Sequence, residues 1–261
     1  MTGAFTALGA MVLGVLELLG GLAILAARIG RAVLAFQLDR RETVRAFYNV
    51  GVKSWAIVAL TAMFTGAIMV IQAGQFVSKA QATSFVGWAA GFAVLAEIGP
   101  VLIGLMFSGR VGANNTAELG TMVVTEQVDA LRALAIDPLV YLVVPRFLAM
   151  VCMLFLLTAL GDVFALLGGG ITSHILIDVP FRVFIAQVVE ARLLDEYLLG
   201  LAKGSVFGAS IAVVSCYYGL GVSGGAVGVG RAVNNAVVVA AIGIFFTDLM
   251  VGLAWSQLWG S

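Results

Sequence analysis

An all-α integral membrane protein, with an N-terminal interfacial helix followed by five transmembrane helices, is the fold class predicted by three features of the sequence. Of the 261 residues, 62% are hydrophobic and 11% charged, against roughly half and about a quarter in a soluble domain. The charges are clustered, leaving apolar runs longer than the ~20 residues that a membrane-spanning helix needs. The basic residues also concentrate on alternate connections between those runs, as expected of cytoplasmic loops.

Net charge is zero, so no overall field draws nucleic acid to the chain. A single histidine, His174, excludes a histidine metal site. Cys152 and Cys216 both lie within apolar runs and are expected as small buried hydrophobes, not as a disulfide or metal pair. The N-terminal run Ala4 to Ala27 has neither a preceding basic residue nor a small-residue cleavage site, so a removable signal peptide is not expected.

Residues 3–36 are long enough to cross a bilayer but contain Glu17, Arg28 and Arg31. Thr6, Glu17 and Arg28 recur every eleven residues, about three helical turns, and with Arg31 form one polar stripe. Such a stripe suits a helix lying in the membrane interface better than one surrounded by lipid. Four long runs then follow. Residues 54–78 and 204–230 are uncharged, 80–109 carry only Glu97, and 147–177 carry only Asp162. A fifth run, 232–261, carries Asp248 and ends in Trp255 and Trp259, residues at home at a membrane–water boundary.

Orientation follows from the basic residues. Arg28, Arg31, Arg40, Arg41, Arg45 and Lys53 precede the first span, Arg110, Arg132 and Arg146 lie between the second and third, and Arg231 precedes the fifth. These regions are read as cytoplasmic. Lys79, Arg182, Arg192 and Lys203 remain on or near the other side, where the C-terminus also ends. Between spans three and four, Phe181, Phe184, Ile185, Val188 and Val189 fall on one helical face within residues 178–196, predicting an amphipathic helix on the outer surface. Gly200, Gly204 and Gly208, like Gly87 and Gly91, are spaced by four and are expected to seat helices against one another within the chain. Gly225, Gly228 and Gly230 have neither a preceding strand nor a following G-K-[ST], so they are read as a cytoplasmic turn, not a phosphate cradle.

Two regions can carry chemistry. In residues 110–138, Thr125 is expected to cap a helix, with Glu126 and Asp129 near its start and Arg132 further on, and Pro138 is expected to stop it. Val124, Val128, Leu131 and Ala135 would give that helix an apolar side and leave the charges free for a partner. Glu97, Asp162, Asp248 and Lys203 lie in or beside apolar spans, where an unpaired charge costs at least a few kcal/mol, so each should face a cavity or an opposite charge. Gly99 and Pro100 follow Glu97 at once and predict a helix distortion beside the carboxylate.

In these strings the sequence resembles the MlaE-type, or YrbE-type, permeases of bacterial lipid ABC transporters. They are E-I-G-P-V-L at 97–102, S-G-R-V-G at 108–112, A-E-L-G-T-M at 117–122, T-E-Q-V-D-A-L at 125–131, I-D-P at 136–138, V-P-R at 144–146 and G-V-G-R-A at 228–232. The resemblance covers roughly residues 45–255. It implies a single permease domain over 1–261, divided into an interfacial helix and linker (1–45) and a five-helix core (46–261) with a coupling helix at about 120–137. It also implies a homodimer in the bacterial inner membrane that moves phospholipid to a periplasmic MCE-domain carrier, in support of outer-membrane lipid asymmetry. A separate ATPase chain would bind ATP and Mg, so the permease itself holds no cofactor and catalyses nothing; a STAS-domain regulator is sometimes present. By the same likeness, Glu118, Glu126, Asp129 and Arg132 contact the ATPase, and Gln72, Phe76, Val77, Glu97 and Ile98 line the lipid path. Many members carry arginine directly before the motif glutamate, where this chain has Ala96. Without that cation beside it, Glu97 is expected either to be neutral or to pair elsewhere, with Lys203 one candidate. Two rival readings follow from the residues alone: an ion-coupled carrier relaying charge through Glu97, Asp162 and Asp248, and a non-transporting scaffold.

Overall fold

In a computed structural model, the backbone is described for residues 2–35, 39–79 and 86–259, and side chains for 9–35, 39–75 and 86–257. Among the described residues every regular element is helical. Helix α1 spans Thr2–Leu34, α2 Arg40–Phe47 and α3 Trp55–Lys79. The second long rod is built from α4 (Val86–Ala93), α5 (Gly99–Phe107) and α6 (Ala113–Val124), after which comes the short α7 (Gln127–Ala133). Helices α8 (Val144–Leu176), α9 (Phe181–Glu190), α10 (Leu194–Leu220) and α11 (Gly225–Trp259) complete the chain.

Six helical segments among the described residues are long and apolar enough to cross a membrane. The first, within α1, is set apart by packing: none of its most apolar window is buried. Among the described side chains, those of its basic half meet the bundle. There Ile29 is fully buried in a cluster with Val128, Leu142 and Cys216 at the end that carries the basic loops. This one-sided seating leaves the apolar window of α1 outside the packed bundle. The region read as linker is itself partly helical, because the Asp39 carboxylate accepts from the backbone N–H of Arg41 and Glu42 and caps α2.

Glycine sets how closely the long helices approach. A Cβ on Gly208 would lie 2.6 Å from the Met150 carbonyl oxygen, and one on Gly204 would lie 2.6 Å from Thr158 Oγ1. Gly200 packs against the Leu95 carbonyl and Pro100, so all three glycines of the α10 ridge are taken up by α8 and the α4–α5 rod inside this chain. Gly66 and Gly168 seat α3 and α8 on each other in the same way. Phe107, Leu154, Phe207, Ile211 and Ile244 fill the space between the helices. Phe64, Ile68, Phe245, Phe246 and Leu249 stay exposed on the outside, as apolar side chains do when lipid or another helix is their solvent.

Several local expectations are corrected. Cys152 is exposed on α8, whereas Cys216 is buried, because the two lie on different faces of their helices. Gly225, Gly228 and Gly230 belong to α11; the bend before it is at Gly224, and Gly224 and Gly225 both have positive φ. The outer amphipathic helix is shorter than 178–196. It ends at Glu190, Arg192 takes a left-handed conformation, and α10 begins at Leu194. Phe184 and Val188 are its buried residues, while Val189 is 69% exposed.

Candidate functional site

The second rod is not an uninterrupted α-helix. A wider π-turn covers Val94–Ile98, immediately before Pro100, and the N–H of Gly99 reaches back to the Val94 carbonyl. Proline has no N–H and its ring crowds the preceding turn, so a widened turn absorbs it without breaking the rod. The distortion expected from Gly99 and Pro100 is therefore a bulge, and Glu97 sits on it with half of its side chain exposed.

From that bulge Glu97 Oε2 lies 2.6 Å from Lys203 Nζ on α10, and Asp248 Oδ1 of α11 lies 2.9 Å from the same nitrogen. Lys203 is fully buried and Asp248 is four-fifths buried. One cation thus ties three helices together through two carboxylates. Counting at 1.5 Å per residue from Val86, Leu194 and Trp259, the three groups lie roughly 14–17 Å in from the same ends of their helices. That is close to the middle of a hydrocarbon core about 30 Å thick. A buried charge at that depth has a desolvation cost to offset; Lys203 Nζ has two carboxylate oxygens within 3 Å, although neither contact has hydrogen-bond geometry. The outer oxygen of Glu97 is left as an acceptor on an otherwise apolar surface.

Asp162 does not join this cluster. Its side chain is buried on α8, neither oxygen has a hydrogen-bond partner among the described residues, and Oδ1 lies 3.2 Å from where a Cβ on Gly99 would be. Gln72 is exposed on α3, and Ile98 is partly buried beside Glu97. The side chains of Phe76 and Val77 lie outside the described residues.

At the basic end, α6 ends at Val124 and α7 starts at Gln127. Thr125 is not the N-cap of α7: its hydroxyl donates to the Thr121 carbonyl and so closes α6, while Glu126, in a left-handed conformation, occupies the cap position. Pro138 is not the stop either. The chain ends α7 by itself, with the N–H of Ile136 donating to the Leu131 carbonyl, that of Ala135 donating to Arg132, and Ala135 left-handed at φ 56°. Pro138 instead precedes the π-turn Leu139–Val143 that leads into α8. Of the expected apolar side, Val128 is buried and Leu131 packs beside it, but Val124 and Ala135 are exposed. Glu126, Asp129 and Arg132 all face outward, and Arg132 Nη1 is 2.8 Å from Asp129 Oδ1.

A polar network that sequence reasoning missed ties this helix pair to the bundle. Buried Asn115 donates from Nδ2 to Ser215 Oγ at 2.8 Å and accepts from Arg146 Nη1 at 3.0 Å. Arg146 Nη2 also lies 3.4 Å from Glu118. The signal available in the sequence was weak: two asparagines at 114 and 115, in a stretch otherwise bound for a helix interior.

Six apolar helical segments and a three-helix ion cluster at mid-bilayer depth define a multi-pass helical membrane protein with a polar site inside its bundle. Residues 43–254 match the family model described as permease MlaE, and the chain belongs to that family. It is 37% identical over 229 residues to a probable ABC transporter permease of Synechocystis sp., covering 88% of this chain and 86% of that one. A probable ABC transporter permease of Rickettsia felis is 36% identical over 208 residues, 80% of each chain. The chloroplastic protein TRIGALACTOSYLDIACYLGLYCEROL 1 of Arabidopsis thaliana is 31% identical over 234 residues, covering 90% of this chain and 67% of that one.

Proposed function

We propose that two copies of this permease form a lipid path in the bacterial inner membrane. A separate ATPase drives phospholipid along that path between the membrane and a periplasmic MCE-domain carrier, in support of outer-membrane lipid asymmetry. The observation that carries the reading is the Lys203 cluster. A cation fully buried at mid-bilayer depth, with a half-exposed carboxylate beside it, offers a headgroup a polar foothold within an apolar surface. The exposed faces of α4–α5 and α11, with Phe245 and Leu249 beside Asp248, supply the greasy walls that acyl chains need. A relative whose name contains a glycolipid, trigalactosyldiacylglycerol, supports a lipid cargo.

Energy enters at α7. Glu126, Asp129 and Arg132 project from a helix whose inner side is anchored by Val128. A push on it is passed through α6 and the Asn115–Arg146 network to α8 and α10. ATP and Mg belong to the partner, and rocking of the two copies reshapes the slot around Glu97. In the complex reconstituted with its ATPase, phospholipid should stimulate ATP hydrolysis. Reversing charge with Glu126→Lys and Asp129→Lys should abolish that stimulation while the complex stays folded. Unchanged stimulation would remove α7 from the coupling role. Transport that runs on an ion gradient without the ATPase would favour the carrier reading instead.

A further inference from the structure

We propose a second, separate binding site: a pocket at the basic end of the bundle that holds the phosphate group of an anionic lipid from the cytoplasmic leaflet. A cavity of about 970 Å³ opens there between α2, the start of α3, α6 and α8, well away from the Lys203 cluster. Its charged lining is Arg45, Lys53, Arg110 and Arg146 against two carboxylates, Glu42 and Glu118. Both carboxylates are already engaged: Glu42 with Arg45 at 3.8 Å, Glu118 with Arg146 at 3.4 Å. Lys53 and Arg110 form no ion pair or hydrogen bond among the described residues, so the pocket has two cations in excess.

Two further features point to an oxyanion. Ser54, 1% exposed, is among the residues that line the cavity, and its buried hydroxyl has no hydrogen-bond partner among the described residues. An unsatisfied buried donor costs free energy that a ligand oxygen would recover. Asn114 adds an amide on the facing helix. A phosphodiester accepts hydrogen bonds only, and matches arginine, lysine and hydroxyl donors around one group.

Depth argues for a lipid as its source. Lys53 and Ser54 immediately precede Trp55, which starts α3 and is 52% exposed, the position of a tryptophan at the headgroup boundary. Val50, Val111 and Met150 of the bundle core also line the cavity, so apolar side chains lie beside its cations. Juxtamembrane basic residues attract anionic lipids of the cytoplasmic leaflet in the same way. This site does not depend on what the Glu97 cluster carries.

The test uses the full chain, assembled with its ATPase in phosphatidylcholine nanodiscs containing a minor fraction of phosphatidylglycerol. Native mass spectrometry reads the phosphatidylglycerol retained per chain. Lys53→Gln with Arg110→Gln should weaken retention roughly tenfold or more for each cation removed. Lys53→Arg with Arg110→Lys should retain the lipid, and Arg182→Gln with Arg192→Gln at the opposite end should leave retention unchanged. Because the altered side chains are exposed, an unchanged thermal midpoint should accompany the loss. Retention equal to wild type in the double variant overturns the proposal, as does an equal loss in the Arg182 and Arg192 control. Full displacement by millimolar inorganic phosphate would assign the pocket to a free oxyanion. Retention seen only before the ATPase is added would assign it to a protein contact.

Discussion

Lys203 is the cation on which the mid-membrane site turns, and removing its partners singly or together should have very different costs. With Glu97→Gln or Asp248→Asn, one carboxylate still lies within 3 Å of Nζ, at 2.9 Å or 2.6 Å respectively. Each single change should cost about 1 kcal/mol, because Glu97 is half exposed and the remaining partner holds the charge. With both changed, a fully buried ammonium has no counter-ion, and breaking a buried pair in this way costs about 3–5 kcal/mol. At about 2–4 °C per kcal/mol for a chain of this size, the double variant should lose roughly 6–20 °C of thermal midpoint. That exceeds the sum of the singles. Adding Lys203→Met to the double variant removes the orphan charge and should recover most of the loss. Lipid-stimulated ATP hydrolysis should stay absent in that triple variant, separating stability from function. Midpoints that add from the singles, with no recovery by methionine, would show that Lys203 is not held as the geometry says.

Other perturbations read different parts of the fold. Gly208→Ala forces a Cβ to 2.6 Å from the Met150 carbonyl and 3.0 Å from the Val151 Cα, and should destabilise by about 1–3 kcal/mol in thermal unfolding. Gly252→Ala meets nothing within 4 Å inside α11 and should stabilise by about 0.5–1 kcal/mol in the same assay. Ala135→Gly relieves a left-handed non-glycine residue at the end of α7 and should raise the midpoint by about 1 kcal/mol, roughly 2–4 °C, without changing ATP hydrolysis. Asn115→Leu strands one donor of Arg146 and removes the donor to Ser215 Oγ, which keeps its own bond to the Ala212 carbonyl; it costs about 1–3 kcal/mol and should lower lipid-stimulated hydrolysis more than basal hydrolysis.

The spans were legible because lipid imposes a crude, long-range rule: apolar for about 20 residues, with charges at the ends. The special standing of Glu97 and Lys203 was legible for the same reason, since Glu97 interrupts an apolar stretch and Lys203 borders one, and Lys203 was one candidate partner once Ala96 stood in place of the nearer cation. That Asp248 completes the cluster and Asp162 does not was hidden, because it depends on the rotation of α8, α10 and α11 about their axes. Glycine contacts at Gly204, Gly208 and Gly168 set those rotations. The ends of α7 were misplaced for a local reason. A threonine can cap the next helix or close the previous one, and Thr125 does the latter. The left-handed Glu126 and Ala135 are held by surrounding structure, against their own backbone preference. The π-turn at Glu97 had a visible cause in Pro100, yet nothing in the sequence distinguished a bulge from a kink.

The most direct measurement is electron cryomicroscopy of the assembled complex in phospholipid nanodiscs. The account predicts a phospholipid between the two copies, with its headgroup within hydrogen-bond reach of Glu97 and its acyl chains along the apolar faces of α4–α5 and α11. A tightly packed interface between copies, with no lipid at Glu97, would contradict it.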